Sequence, residues 1–476
     1  MARSAHAWHQ RWPYLLGIGC LWILIVVGPW RRGWIDGSLG SHPRHATVRR
    51  LHEHANIDLS EGPLRVGIGE ATFTDLAIGR PLAGYGKRCF TPCSEVNDPV
   101  GCQVLVLDNS RARVALITFD LLLANRVLVA AVEDALRRRG AYWDREELFF
   151  TASHTHSGPA GFAGRALEML GLGMMDPKLT EQLAGRIAQA IIDAEGRAQP
   201  SELAHVSVDV PDTLVRNRTV ADDPANRTLD LFSFQTVSDH EPLATLALFS
   251  AHATAHHSSD RRISSDYPGV LRRELRKRVG GPVLFASAAV GSMAPGESVS
   301  RDKLAEHMGK TLAEAAADAL KKSTVSYRHD VSLATVGFEA KLPAPTLKVG
   351  ASWRLSPLTG GMLVPSDAWV HCLRLGDSIL AGTPADYSGV LAQELRHQAK
   401  DLEVVVTSFN GDYVGYVLPD SYDDVPKYEA KSVSVLGPTA GSFFQEVVAR
   451  SVTRLREAKM GTNTAKVAGK ASIHHD

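Results

Sequence analysis

From Leu64 onward, short runs of β-branched and aliphatic residues alternate with longer stretches in which apolar positions recur every three or four residues. The segments "CQVLVLD", "RVALITFD" and "ELFFTAS" have strand character, and between the last two, Val127 to Arg139 has the spacing of an amphipathic helix. A second helix is predicted to open at Pro177, with Asp176 as its N-cap. The runs "LAHVSVDV", "TLDLFSFQT" and "LATLALFSAH" predict further strands, followed by a helix over 269–279 and a buried strand in "PVLFASA". The C-terminal half repeats the theme: a long helix over 301–322, strands in "VSLATVGFEAKL", "AWVHCLRLGDSILAG" and "LEVVVTS", and helices over 389–398 and 442–457. The expected fold is mixed α/β (α+β), a β-sheet core flanked by helices in a single large domain over 63–458.

Outside that span the pattern changes. Trp12 to Trp30, "WPYLLGIGCLWILIVVGPW", is a nearly unbroken apolar run with Arg3 and Arg11 before it and Arg31 and Arg32 after it. It exceeds the 7–15 residues usual for a signal-peptide core and just suffices to span a bilayer, so residues 1–32 are expected to form a membrane anchor or signal segment. Residues 33–62 have the composition of a polar linker, and 459–476, which include His474 and His475, lack periodicity and are expected to be a disordered tail.

Charge excludes one class of partner. Lys+Arg and Asp+Glu both number 52, which gives no general electrostatic case for nucleic acid. Cys89, Cys93 and Cys102 lie close together and invite a disulfide in a non-cytosolic compartment, with the pairing open; a zinc knuckle would need a fourth ligand at the usual spacing.

Four places carry candidate chemistry. In "TASHTHSGPAG", His154 and His156 follow a strand pattern, and on an extended backbone side chains at i and i+2 point the same way, towards one metal ion. By itself such a pair is more often surface or hydrogen-bonded core histidine. His252 closes another strand in "LFSAHATAHHSSD", with His256 and His257 beyond it, and Ser265 and Asp266 have the look of an N-cap. Asp386 in "GTPADYSG" sits between a buried strand and a helix, where an isolated Asp is ordinarily a cap. The loop "NGDYVGYVLPDSYDDVPKYEA" holds Tyr413, Tyr416, Tyr422 and Tyr428, whose plainest role is aromatic packing.

Together with "VGIGEATFTDLAIGRPLAGYGKR" and the "NRT" at Asn217 to Thr219, these blocks occur in the order found in the neutral/alkaline non-lysosomal ceramidases, and the chain from Leu64 to Glu457 resembles their catalytic domain, without the immunoglobulin-like C-terminal domain of typical members. The resemblance implies a zinc-dependent hydrolase of the N-acyl bond of ceramide-like lipids, a lipid amide as substrate, and a catalytic domain on the non-cytosolic side of a membrane. It implies His154, His252, Asp386 and Tyr416 as Zn²⁺ ligands, His156 as acid/base, and Arg218 and Tyr428 as groups facing the scissile amide. Two positions depart from the family. Asp386 stands where the family has Glu, and in "AVGSMAPGE" Ala294 stands at the catalytic serine, with Ser292 two residues away. Zinc-activated water is therefore the expected nucleophile.

The segment "GFAGRALEMLGLGMM" offers Phe162, Leu167, Met169, Leu170, Leu172, Met174 and Met175 for an apolar pocket, a bilayer contact or ordinary core. Rival readings are a zinc hydrolase of another acyl amide or ester, a non-catalytic lipid- or metal-binding relative, and a TIM-barrel amidohydrolase, which lacks support in any eight-fold βα alternation. The oligomeric state stays open.

Overall fold

The computed structural model describes residues 17, 19–20, 23 and 26–28, and 43–458 except 54–56, 58, 167, 323, 351–352 and 400–401. Most of the apolar run Trp12 to Trp30, and the whole of 459–476, lie outside the described residues. Among the described residues no helix is long and apolar enough to cross a membrane.

The elements that build the fold are α1 (Pro43–Glu53), β1 (Ser60–Pro63), β2 (Arg65–Thr72), β3 (Gly101–Asp108), β4 (Arg113–Phe119), α2 (Arg126–Arg138), β5 (Leu148–Ala152), α3 (Pro177–Gly196), β6 (Gln199–Asp209), β7 (Val215–Asn217), β8 (Thr228–Thr236) and β9 (Pro242–Phe249). They continue with α4 (Asp266–Val279), β10 (Val283–Ser287), β11 (Met293–Pro295), α5 (Arg301–Leu320), β12 (Asp330–Lys341), β13 (Asp367–Leu375), β14 (Ser378–Gly382), β15 (Asp386–Tyr387), α6 (Gly389–Gln398), β16 (Glu403–Thr407), β17 (Tyr416–Val417) and α7 (Ala440–Glu457). An eight-stranded sheet runs β10-β9-β8-β6-β2-β3-β4-β5, and a five-stranded sheet runs β1-β12-β13-β14-β16. The architecture is α/β in two stacked sheets with helices outside both, which excludes a TIM barrel.

The strand sequences explain the stacking. On β3, Val104 and Val106 face a core shared with α2 and α3, while Leu105 and Leu107 face a second core between the sheets. On β12, Val336 and Phe338 pack with Leu51, Leu395 and Phe444 of α1, α6 and α7, whereas Val331 and Leu333 join the inter-sheet core. Both faces are buried, so these strands are apolar almost without interruption. Helices α4 and α5 cover the other half of the large sheet through Leu271, Leu275, Met308 and Leu312. Helix α3 lies so close to β2 that a Cβ at Gly69 would come within 1.9 Å of the Ala190 carbonyl oxygen.

The linker span contains a packed helix. On α1, Thr47 is buried and its hydroxyl donates to the Lys341 carbonyl, and Leu51 enters the core. The three clustered cysteines are free thiols. Cys102 is fully buried on β3, while Cys89 Sγ meets the Gly171 carbonyl and Cys93 Sγ meets the Ala77 carbonyl, so each is taken up by a different neighbour.

Within the two large sheets most neighbouring strands are antiparallel, but β4·β5, β9·β10 and β14·β16 are parallel. The carboxyl ends of β5, β10 and β16 meet, where the Thr151 hydroxyl donates to the Ser408 carbonyl and Ser408 N–H to the Ser287 carbonyl. Asn410 clamps the junction: its amide donates to the Phe150 carbonyl at 2.8 Å, and its Oδ1 accepts from Thr383 N–H at 3.0 Å and from the Thr407 hydroxyl at 2.8 Å. Asn410→Ala strands buried polar groups on both sheets, and chemical denaturation should show a loss of about 1–3 kcal/mol. An unchanged midpoint would mean that the junction is held elsewhere.

Candidate active site

The loops leaving β5, β9 and β14 converge over this junction. His154 lies two residues past the end of β5 in left-handed backbone, φ 57°. The extended i, i+2 geometry expected for the pair is therefore replaced by a turn, yet the two Nε2 atoms of His154 and His156 come within 3.2 Å. Phe409 stacks on His154 with ring centroids 4.1 Å apart and itself has φ 66°. Such backbone in non-glycine residues costs free energy and persists where surrounding contacts fix it.

His252 follows β9. The loop beyond it is held by Asp266, buried with φ 59°, whose carboxylate accepts from the backbone N–H groups of Ala255 and His256. The cap expected from Ser265 is absent as a side-chain bond, because its hydroxyl is turned to Asp98. His256 and His257 stay outside the cluster, bonded to Ser264 and Ser259.

Imidazole tautomers follow from the backbone. His154 Nδ1 sits 2.6 Å from the Leu122 carbonyl, and His252 Nδ1 lies 2.8 and 3.0 Å from those of Val290 and Met293. Each Nδ1 must carry the proton, which leaves each Nε2 a bare lone pair. Burial pushes His154 down to about 3, the Asp386 charge opposing only in part, and holds His156 and His252 well below the ordinary value. All three are neutral near pH 7.

Asp386 Oδ1 faces these lone pairs, 3.4 Å from His154 Nε2 and 3.1 Å from His252 Nε2, fully buried and without a hydrogen-bond donor. Its other oxygen accepts from Tyr413 Oη at 2.7 Å. Burial raises its pKa, with His154 and Tyr413 pulling the other way. Tyr416 Oη is 2.9 Å from His252 Nε2. His154, His156 and His252 have ligand nitrogens within 4.8 Å of one another, a group able to hold a metal ion.

Arg218 is a half-buried part of this cluster. Its Nη2 donates to His252 Nε2 at 3.0 Å and to Tyr416 Oη at 2.9 Å, and its Nε pairs with Glu429 at 2.9 Å. Tyr428 lines the cavity and is 63% exposed, which sets aside core packing as its role. Ala294, on β11 paired with β7, also lines the cavity. Ser292 is fully buried, and its hydroxyl meets that of Ser388 at 2.9 Å.

Most of these groups, though not His252, Ser292 or Glu429, border a cavity of about 1120 Å³. Of the segment after the histidine pair, Leu170 and Leu172 line it, Phe162 is core, and Met174 and Met175 are exposed. Met169 packs against the core, and Leu167 lies outside the described residues. Sequence reasoning missed Asp266, Phe409 and Glu429 as supports, and assigned Tyr413 no contact with Asp386. Gly84 was also missed: a Cβ there would lie 2.4 Å from His156 Nδ1.

Residues 64–295 match the family described as neutral/alkaline non-lysosomal ceramidase, N-terminal. The chain is 23% identical over 252 residues to a neutral ceramidase of Pseudomonas aeruginosa, covering 49% of this chain and 37% of that protein. It is 25% identical over 263 residues to one of Mycobacterium tuberculosis, covering 49% and 40%. Each match thus spans less than half the length of the curated relative. The crystal structure of the Pseudomonas aeruginosa neutral ceramidase superposes with a TM-score of 0.74 at 18% identity over 85% of this chain and 76% of that one. A ceramidase complexed with C2 gives 0.71 at 17% identity over 83% and 75%. Motif order, the matched region 64–295 and the shared fold agree in their likeness: over just under half of its length the chain is similar to the neutral/alkaline non-lysosomal ceramidases.

Proposed function

We propose that this protein is a zinc-dependent hydrolase that cleaves the N-acyl amide bond of ceramide-like lipids, releasing fatty acid and a sphingoid base. The observation that carries the reading is the buried Asp386 Oδ1, which faces two unprotonated imidazole nitrogens with no hydrogen-bond donor of its own. A carboxylate oxygen turned on two imidazole nitrogens in a buried site, with Arg218 reaching only the His252 one, suits a cation between them. His154, His252 and Asp386, with Tyr416, form the N/O set that zinc favours, and these residues would hold it. Bound there, the metal would supply Lewis-acid polarisation of the amide carbonyl and a water of lowered pKa.

The chain's own groups divide the remaining work. His156 is neutral and packed beside His154, so it can take a proton from water and return it to the leaving amine. Arg218, its charge anchored by Glu429, and the Tyr428 hydroxyl at the cavity wall can donate to the carbonyl oxygen as negative charge develops. No serine hydroxyl takes part, since position 294 presents a methyl group and Ser292 is engaged with Ser388. The apolar walls at Leu363 and Val364 and at Val433 and Val435 suit acyl chains.

Chelator-treated protein should take up one zinc ion per chain and, once reloaded, release fatty acid from an N-acyl sphingosine. Absence of stoichiometric uptake sinks the metal reading. Uptake without fatty acid release from any N-acyl lipid sinks the hydrolase reading.

A further inference from the structure

The chain as a whole carries equal numbers of acidic and basic residues, yet the cavity does not. Lys87, Arg88, Arg165, Arg261 and Arg301 line it, in addition to Arg218 and to Arg216, which pairs with Glu297; the carboxylates of the lining are Glu168 and Asp386. Among the described residues, none of those five cations has a carboxylate within ion-pair distance. Three of them are instead fastened to main-chain carbonyls: Arg88 to those of Asp260 and Ala83, Arg261 to that of Pro92, and Arg301 to those of Thr254 and His256. The nearby acids are already engaged, Asp260 with Arg262 and Asp266 with the N–H groups of Ala255 and His256.

A carbonyl orients a guanidinium without cancelling its charge. The loop Thr254 to Arg261 is therefore gripped by Arg88 and Arg301 and adds Arg261 and the hydroxyl-bearing Ser258 and Ser259 to the cavity wall. Fixed guanidinium groups beside hydroxyls are a recognition surface for a planar or tetrahedral oxyanion. The apolar wall comes from other segments, Leu363 to Pro365 and Val433 to Val435.

Resting on the reading of this cavity as the site for ceramide-like lipid amides, we infer that among such amides it prefers those whose head group bears an anionic oxygen group: a carboxylate, sulfonate or phosphate. The head group lies along the Lys87–Arg88 and Ser258–Arg261 wall, and the acyl chain along the apolar one. A neutral head group would leave the guanidinium cluster without a counter-charge.

The test is binding to the full chain, below micelle-forming concentrations, of four matched octanoyl amides: those of ethanolamine, glycine and taurine, and the O-phosphate of the ethanolamide. At least one anionic amide should bind about tenfold or more tightly than the neutral one at low salt, with the advantage shrinking as ionic strength rises. Comparison of the three anions identifies which oxyanion is read. In the double variant Lys87→Ala/Arg261→Ala, both side chains being exposed, circular dichroism should be unchanged and the anion-to-neutral affinity ratio should fall towards one. Equal or better binding of the neutral amide to the wild-type chain overturns the inference, as does a ratio that survives the double substitution. The outcome is separate from hydrolysis: a zinc-loaded protein that binds the anionic amide selectively but cleaves no amide contradicts the hydrolase reading and leaves the anion subsite standing.

Discussion

Asp386→Asn should make the metal-free protein more stable and destroy its activity. The wild-type carboxylate is fully buried, and its Oδ1 faces two imidazole lone pairs with no donor between them. An amide of the same shape removes the buried charge and can turn its NH₂ group towards those lone pairs, so the substitution supplies a proton donor where one is missing. An unsatisfied buried polar group costs about 1–3 kcal/mol, and removing the conflict should raise the metal-free denaturation midpoint by a corresponding amount. The same change takes away the one anionic metal donor. Zinc uptake should fall below stoichiometry, and turnover of an N-acyl sphingosine should drop by about a thousandfold, the rate equivalent of roughly 4 kcal/mol of lost transition-state stabilisation. Asp386→Glu should keep the carboxylate and part of the activity. A destabilised metal-free Asn variant, or one that still binds zinc stoichiometrically, would show that Asp386 is an ordinary structural carboxylate.

The parts of the fold that were legible in the sequence are those decided by local pattern. Helix α3 begins at Pro177 with the Asp176 side chain accepting from the N–H groups of Lys178 and Leu179, as the sequence predicts, and β5 and β16 fall on the apolar runs that announce them. The stacking of two sheets was not legible, because alternating positions on β3 serve two different cores and both are apolar. The site divides in the same way. Motif order named His154, His252, Asp386, Tyr416 and Arg218, which the structure brings to one cluster. Phe409 was hidden because it stacks on a residue far away in sequence, and the loop-holding role of Asp266 because, like Phe409, it depends on left-handed backbone that no local pattern marks. The clustered cysteines misled in the opposite sense, since closeness in sequence did not bring their thiols to one point.

The second large effect separates His156 from the metal donors. Its Nε2 lies 3.2 Å from that of His154, close enough for the three histidines to be taken as equivalent ligands. Its surroundings differ from theirs. His154 and His252 are each oriented by a carbonyl at Nδ1, whereas His156 Nδ1 is buried without a hydrogen-bond partner and the ring rests between Tyr85 and the α-carbon of Gly84. A ligand imidazole ordinarily has its second nitrogen tied down, and a group that must pick up and release a proton does not require it. His156→Ala should therefore leave zinc at one per chain while lowering kcat by about a hundredfold to ten-thousandfold, the range for loss of a general acid/base. Gly84→Ala supplies an independent route to the same end: its backbone has φ 94°, and the new Cβ would fall 2.4 Å from Nδ1, so the ring must move while every proposed zinc donor stays in place. That variant should also retain zinc and lose activity, to a smaller degree, with KM for the amide little changed. Loss of stoichiometric zinc in His156→Ala would make the histidine a ligand and return the proton transfer to another group, for which Tyr428 at the cavity wall is the nearest candidate on chemical grounds.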